Sequence, residues 1–259
     1  MAQLYATRSS MADDLPRLYT DLADWYHLLT DPSEYAEEAA FYFERLRDAL
    51  GHAPRSVLEL GCGGGNNAWH YKRVVDGPIT LTDASQAMLD VSLRINPELE
   101  HVLGDMRTLR LGRAFEAVFV HDAVSYMTSL ADLAQAMQTA FEHLRQGGVA
   151  LFAPDHVREE FAAEAEVGGH DGEDGRALRY LEWTRDPNPD DGVYEAEFAY
   201  LLSEPGQPTR CVYDRHVCGL FSRADWLRLL ERVGFRARAI GFQHSEVQRP
   251  LDVFIGVKG

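Results

Sequence analysis

The stretch Val57-Leu58-Glu59-Leu60-Gly61-Cys62-Gly63-Gly64-Gly65-Asn66 decides how this chain is read. An apolar run that reads as a buried strand closes on the carboxylate of Glu59, and a glycine turn follows at once. Glycine serves where the backbone must turn at positive φ, or where a ligand lies against bare backbone. Strand, glycine turn and helix together make a nucleotide-type site. The pattern is Glu-x-Gly-x-Gly-x-Gly, not the dinucleotide Gly-x-Gly-x-x-Gly, because the sixth position from Gly61 is Asn66. Glu59 also argues for a cationic ligand, since a carboxylate repels a pyrophosphate. An NAD-dependent oxidoreductase is disfavoured on both counts.

Working outward, strands and helices alternate. Strands are expected at 55–60, 79–82 (ending in Asp83), 100–103, 117–120 (ending in His121-Asp122) and 149–153. Helices are expected at 66–75, 86–95 behind Ser85, and 130–145 behind a capping box at Ser129–Asp132. This spacing implies βαβ units and a parallel sheet covered on both faces. Upstream, 12–50 reads as helices, with Asp31-Pro32-Ser33-Glu34 as a helix start. Downstream, 155–175 is polar and glycine-rich, and its acidic part, 164–174, reads as a flexible surface loop. Runs at 178–185, 193–203 and 210–219 follow, and Tyr194, Ala196, Phe198, Tyr200 and Leu202 alternate as in a half-exposed antiparallel sheet. A helix capped by Ser222–Asp225 ends at Gly234, and strands at 236–242 and 251–257 close the chain as an antiparallel edge.

Composition narrows the function. With 41 Asp and Glu against 25 Lys and Arg, the net charge of −16 disfavours nucleic acid as a partner. No apolar run approaches the ~20 residues of a membrane span. Met1–Asp14 lacks the layout of a secretion signal, and Cys62, Cys211 and Cys218 form no Cys-x-x-Cys pair, so a reduced cytoplasmic setting is expected. No His-x-x-x-His or similar cluster appears, and no metal is expected.

Seven strands, five helical crossovers and a closing antiparallel edge resemble the class I S-adenosylmethionine (SAM) methyltransferases, and Glu59–Asn66 resembles their motif I. Asp83, 24 residues after Glu59, suits a carboxylate gripping ribose hydroxyls. Gly104-Asp105-Met106 resembles the adenine-binding turn, and His121-Asp122 the segment that passes the methionine moiety and faces the acceptor. The resemblance implies an α/β, Rossmann-like seven-stranded sheet with an inserted antiparallel sheet and an N-terminal helical lid. Its divisions would be a lid at 1–50, a SAM-binding core at 51–154, a β insertion at 155–219 covering the active site, and completion of the core at 220–259. SAM as cofactor would touch Tyr19, Glu59, Gly61, Cys62, Gly63, Asn66, Asp83, Ala84, Met88, Gly104, Asp105, Met106 and His121. Tyr26, His121 and Asp122 are the expected catalytic residues.

The insertion and the run Val217–Arg223 are further similar to the nucleotide-sugar N-methyltransferases of antibiotic pathways. Those enzymes carry a histidine shortly after strand four and a carboxylate ending strand five; Met127 and Ala153 stand there in this chain, with Asp155 and His156 close by. Methyl transfer needs alignment and exclusion of water, and an amine acceptor must also lose a proton. Tyr26, His121, Asp122, Tyr126, His156 and His216 are candidate bases, and sequence selects none. The expectation is N- or O-methylation of a small molecule, such as an aminosugar, by a protein expected to form a homodimer. A non-catalytic SAM-binding regulator or partner, and a methyltransferase of protein or nucleic acid, are the alternatives.

Overall fold

A computed structural model describes residues 15–245 and 250–259. The expectation about Met1–Asp14, and the start of the 12–50 helical segment, lie outside the described residues.

The core is a seven-stranded sheet in the order β10-β11-β5-β4-β1-β2-β3. Its strands are β1 (Val57–Leu60), β2 (Ile79–Asp83), β3 (Glu100–Leu103), β4 (Phe115–Val120), β5 (Leu144–Phe152), β10 (Phe235–Phe242) and β11 (Leu251–Lys258). Strands β1 to β5 run parallel, and β11 lies antiparallel between β5 and β10. This is the expected sheet with its expected edge. Strand β1 is buried along its whole length, so its alternating side chains feed two cores. Leu58 and Leu60 join Met137, Trp226 and Phe254 on one face, and Val57 joins Tyr42, Leu81 and Leu151 on the other. Glu59 points into the second, apolar layer.

The helices are α1 (Tyr26–Leu29), α2 (Ala36–Leu50), α3 (Asn66–Tyr71), α4 (Gln86–Ile95), α5 (Leu130–Glu142) and α6 (Arg223–Val233). Ser85 caps α4 on Met88 N, and Ser222 with Asp225 forms a complete capping box on α6. Ser129 caps α5, but Asp132 does not return the bond to the backbone; its carboxylate meets the Ser129 hydroxyl and Arg107 instead.

Three expectations are corrected. The segment ahead of α1 is not a continuous helix but short 3-10 turns at Arg17–Tyr19 and Ala23–Trp25. The Thr20 hydroxyl bonds back to the Pro16 and Arg17 carbonyls, competing with helix propagation. Helix α5 stops at Glu142, and β5 begins at Leu144, earlier than expected. The supposed loop at 164–174 contains β6 (Glu164–Gly168), the edge of a second sheet in the order β6-β7-β8-β9. Strand β6 escapes a period-two reading because Glu164 to Val167 are all exposed, leaving no apolar face to alternate.

The other strands of that antiparallel sheet are β7 (Ala177–Arg185), β8 (Val193–Ser203) and β9 (Arg210–Gly219). Its inner face, Leu178, Ala196, Phe198, Tyr200 and Leu202, packs on Leu18, Leu22 and Trp25 of the N-terminal turns. The N-terminal segment is thus held between the inserted sheet and the carboxyl ends of the core strands. No helix among the described residues is long and apolar enough to cross a membrane.

Candidate active site

The turn after β1 is built from backbone. Gly61 N and Cys62 N both donate to Thr82 O at 2.8 Å, tying the turn to β2. Gly63 N donates to Asp83 Oδ2 at 2.9 Å, and Ser85 N to Asp83 Oδ1 at 2.8 Å. Gly61 has φ +75°, and a Cβ there would meet Ala123 Cβ at 2.3 Å and Met106 Cε at 2.9 Å. Only glycine lets the turn pass this close to the segment after β4. Tyr26 covers the turn from above: a Cβ on Gly64 would meet its ring at 2.4 Å. His27 Nε2 sits 3.2 Å from Gly64 O beside it.

Under Tyr26 lies a narrow slot whose water-reachable volume is about 120 Å³. Every expected cofactor contact except Met88 lines it. Met88 is 1 % exposed and packs with Ala23 and Val91, because the first turn of α4 faces the N-terminal segment. Asp105 lines the slot, but both its oxygens are engaged by the Arg107 guanidinium, and Oδ1 also takes Arg107 N. Burial pushes the Glu59 carboxyl up to about 7 against the opposing hydrogen bond from the Tyr71 hydroxyl. Burial likewise raises Asp83, against the backbone N–H groups that favour its charged form.

The slot suits a cationic ligand with donor groups. Asn66 Oδ1 is a buried acceptor with no partner, Asn67 lines the slot beside it with its amide 3.3 Å from His121 Nδ1, and Glu59, Asp83 and Asp122 lie around them. Unpaired buried oxygens are costly, and a donor brought by a ligand removes that cost. A sulfonium nucleoside bearing an ammonium and ribose hydroxyls has the right chemistry; a diphosphate does not.

A second, larger cavity of about 1080 Å³ lies between the slot and the inserted sheet. Tyr19, Tyr26, Tyr35, His121, Asp122 and Tyr126 belong to both cavities and form the wall where they meet. His121 Nε2 lies 3.0 Å from Asp122 Oδ1 and 3.4 Å from Glu38 Oε1. Burial opposes the imidazolium, but these carboxylates outweigh it and push His121 up to about 10. Asp122 faces the water of the cavity yet lies deep below the outer surface. Its carboxyl is raised by that burial, with repulsion from Asp155 and Glu38 partly offset by His121. Burial also raises the Tyr26 phenol, more than its hydrogen bond with Tyr35 and nearby Asp122 alter it.

No motif in the sequence marks Tyr35, Glu38, Asn67 or Ala123 as part of the site. Tyr35, Glu38 and Tyr42 share one helical face, a spacing visible in the sequence. Met127 and Ala153 are buried at 1 % and 3 %, in the two cores, away from the wall. Beside them, Asp155 accepts from the Tyr194 hydroxyl at 3.2 Å, and His156 packs on Tyr194 and Phe161.

Residues 57–148 match the family described as Methyltransferase domain. Over 222 residues the chain is 30% identical to a Streptomyces venezuelae dTDP-3-amino-3,4,6-trideoxy-α-D-glucopyranose N,N-dimethyltransferase, covering 83% of this chain and 90% of that one. It is 28% identical to a Streptomyces fradiae dTDP-3-amino-3,6-dideoxy-α-D-glucopyranose N,N-dimethyltransferase, over 90% of this chain and 89% of the other. The solved structure of Streptomyces venezuelae DesVI superposes with a TM-score of 0.78 at 26% identity, covering 93% of this chain and 98% of that one. Fold and site together define a class I SAM-dependent methyltransferase, an enzyme that moves a methyl group from SAM to a small-molecule acceptor. Within that class the chain belongs to the sugar N-methyltransferase family of these relatives.

Proposed function

We propose that this enzyme methylates the amino group of an aminosugar, carried on a nucleotide as in its relatives' names. The observation that carries the reading is the shared wall. Reacting atoms must meet where the cofactor slot opens into the acceptor cavity, and Tyr19, Tyr26, Tyr35, His121, Asp122 and Tyr126 stand there.

When bound, SAM supplies a methyl group on a cationic sulfur. On this reading Glu59, Asn66 and Asn67 receive its positive and donor groups, and Asp83 receives its ribose. Gly61, Cys62, Gly63, Ala84, Gly104 and Met106 shape the slot, as do Asp105, Tyr19 and His121. Asp105 acts mainly by holding its turn, since Arg107 occupies its carboxylate. Met88 supports from below without contact. Among the expected catalytic residues, protonated His121 and the protonated Tyr26 phenol are hydrogen-bond donors near neutral pH. Asp122, Glu38 and Asp155 gather carboxyl groups on the acceptor side of the wall, a surrounding that suits an ammonium acceptor. Acceleration comes from alignment and exclusion of water under Tyr26 and the inserted sheet.

This reading retains 51–154 with 220–259 as the SAM-binding core and 1–50 with 155–219 as its cover. The side chains of Val167, Leu181, Trp183, Leu201 and Tyr213, exposed on the outer face of the inserted sheet, support a homodimer. Three free cysteines support a reduced, cytoplasmic setting, and the net charge of −16 supports no nucleic-acid partner.

The test is calorimetric titration with SAM, S-adenosylhomocysteine and NAD. Mass-spectrometric assay then follows on dTDP-3-amino-3,4,6-trideoxy-α-D-glucopyranose, other dTDP-aminosugars, a phenol and a carboxylic acid. SAM binding with methylation confined to amines is expected. Methylation of only the phenol or the acid would overturn the acceptor assignment.

A further inference from the structure

A chain of hydrogen bonds crosses from the shared wall into the inserted sheet. The Tyr19 and Tyr126 hydroxyls are 2.8 Å apart, and the Tyr126 hydroxyl is 2.6 Å from His216 Nδ1. His216 Nε2 is 3.3 Å from Asp214 Oδ2. Asp214 also accepts the backbone N–H groups of Leu18 at 2.9 Å and Arg17 at 3.1 Å. His216 is 3 % exposed and Asp214 5 % exposed, yet His216 lines the acceptor cavity and Tyr126 lines both cavities.

The order of donors and acceptors in this chain follows from chemistry. Asp214 resists ionisation through burial, but the His216 and backbone hydrogen bonds outweigh that and hold its carboxyl below the usual range. An ionised carboxylate only accepts, so the proton of the His216 ring sits on Nε2 and the lone pair on Nδ1. Tyr126 then donates to Nδ1, and its oxygen accepts from Tyr19 with a lone pair to spare. The wall thus ends in a hydroxyl that can take a proton from the acceptor cavity while passing its own proton inward.

We propose that His216 is the proton acceptor of the reaction, receiving through Tyr126 the proton that the acceptor ammonium must lose, with Asp214 fixing the ring. The inference rests on the amine reading above. One N–H bond of the ammonium breaks and its proton goes to the Tyr126 oxygen. The former Tyr126 proton goes to His216 Nδ1. The freed nitrogen pair forms the new C–N bond, and the S–C bonding pair leaves with sulfur. The imidazolium that results faces Asp214 and later returns its proton to water in the cavity. Besides Asp214, Tyr126 and Tyr19 face His216, the Tyr19 ring at 5.6 Å, and Phe198 packs on its ring at 4.8 Å; Cys218 on its own strand, Glu182 of β7 and Asp155 after β5 line the same cavity. His121, held protonated on the same wall, does not compete for the role.

The experiment is a pH–rate profile of wild type, His216→Gln and Tyr126→Phe on an amine that the wild type methylates, with SAM affinity measured alongside. At pH 7, His216→Gln is expected to lower kcat/KM about 100-fold, the usual scale of general-base loss. The deficit should shrink below about 10-fold near pH 9.5, where bulk water supplies more free amine. SAM affinity should hold within about 2-fold. Tyr126→Phe should show the same pH-dependent recovery from a smaller loss, and it decides the matter if His216→Gln misfolds. A loss equal at all pH values would mean a structural latch and would overturn the proposal, as would no loss. If no amine is methylated, the acceptor reading fails, and the ring proton of His216, read by ¹⁵N NMR on the free protein, decides separately. A proton on Nε2 with a bare Nδ1 at pH 8 supports the proton acceptor; a protonated Nδ1 overturns it.

Discussion

The two sheets carry the two halves of the site by opposite means. In the parallel sheet, the slot proposed for the cofactor is made by consecutive residues at strand ends: Gly61 to Gly63 after β1, Asp83 at the end of β2, Asp105 and Met106 after β3. Backbone groups do much of the work, and β-strand register fixes where they point. In the inserted antiparallel sheet, the cavity proposed for the acceptor is lined by side chains from one face, completed by the N-terminal turns and the segment after β4. The first half is local in sequence, and the second exists only after long-range packing. Binding of the cofactor and use of the acceptor should therefore respond to different substitutions.

Four predictions test that separation. Gly61→Ala should have the largest effect, costing about 3 kcal/mol or more in chemical denaturation. It combines a positive φ with a Cβ 2.3 Å from Ala123 Cβ. A variant of wild-type stability would show that the turn is loose, and the comparison would fail at its first point. Next, Asp83→Ala should weaken SAM about 100-fold in calorimetry while circular dichroism stays native, since it removes a buried carboxyl acceptor from the slot. Unchanged affinity would remove Asp83 from the cofactor site. Third, Glu59 is raised to about 7 and must ionise to receive a cation. Below that pH, SAM binding must first expel a proton. Affinity should thus rise, up to about 10-fold per pH unit, from pH 5 toward 7 and then level off. Glu59→Gln should flatten that rise. Smallest, Tyr194→Phe removes the hydrogen bond to Asp155 within the acceptor cavity. It should raise the acceptor KM about 5-fold, on the scale of one hydrogen bond, and leave SAM affinity alone. Equal loss of both would mean that the two halves are one unit.

The same contrast explains what the sequence could and could not disclose. Helix α4 is found at the expected 86–95 because Ser85, a buried stripe and the strand ahead of it all agree. The nineteen slot-lining residues include all the expected cofactor contacts but Met88, whose helix position was right and whose facing was not. Strand β6 was missed because it lacks an apolar face. The sequence offers His216 as one of six candidate bases and selects none of them. Period two puts it on the inner face with Asp214 and Cys218, and opposite to Arg215, but nothing in the sequence says that Tyr126, 90 residues away, stands within 2.6 Å. Charge pairing is likewise hidden: nothing in the sequence brings Glu38 to His121, 83 positions apart, until Tyr42 of α2 packs on Phe119 of β4.

Asp214 holds the amides of Arg17 and Leu18, and Tyr26 of the same N-terminal segment rests on the glycine turn. The cover over the slot and the wall of the acceptor cavity are therefore stitched together. That linkage leads to the prediction that SAM binds before the acceptor and that S-adenosylhomocysteine leaves after the methylated product. Steady-state kinetics should accordingly be sequential and ordered, with S-adenosylhomocysteine competing against SAM alone.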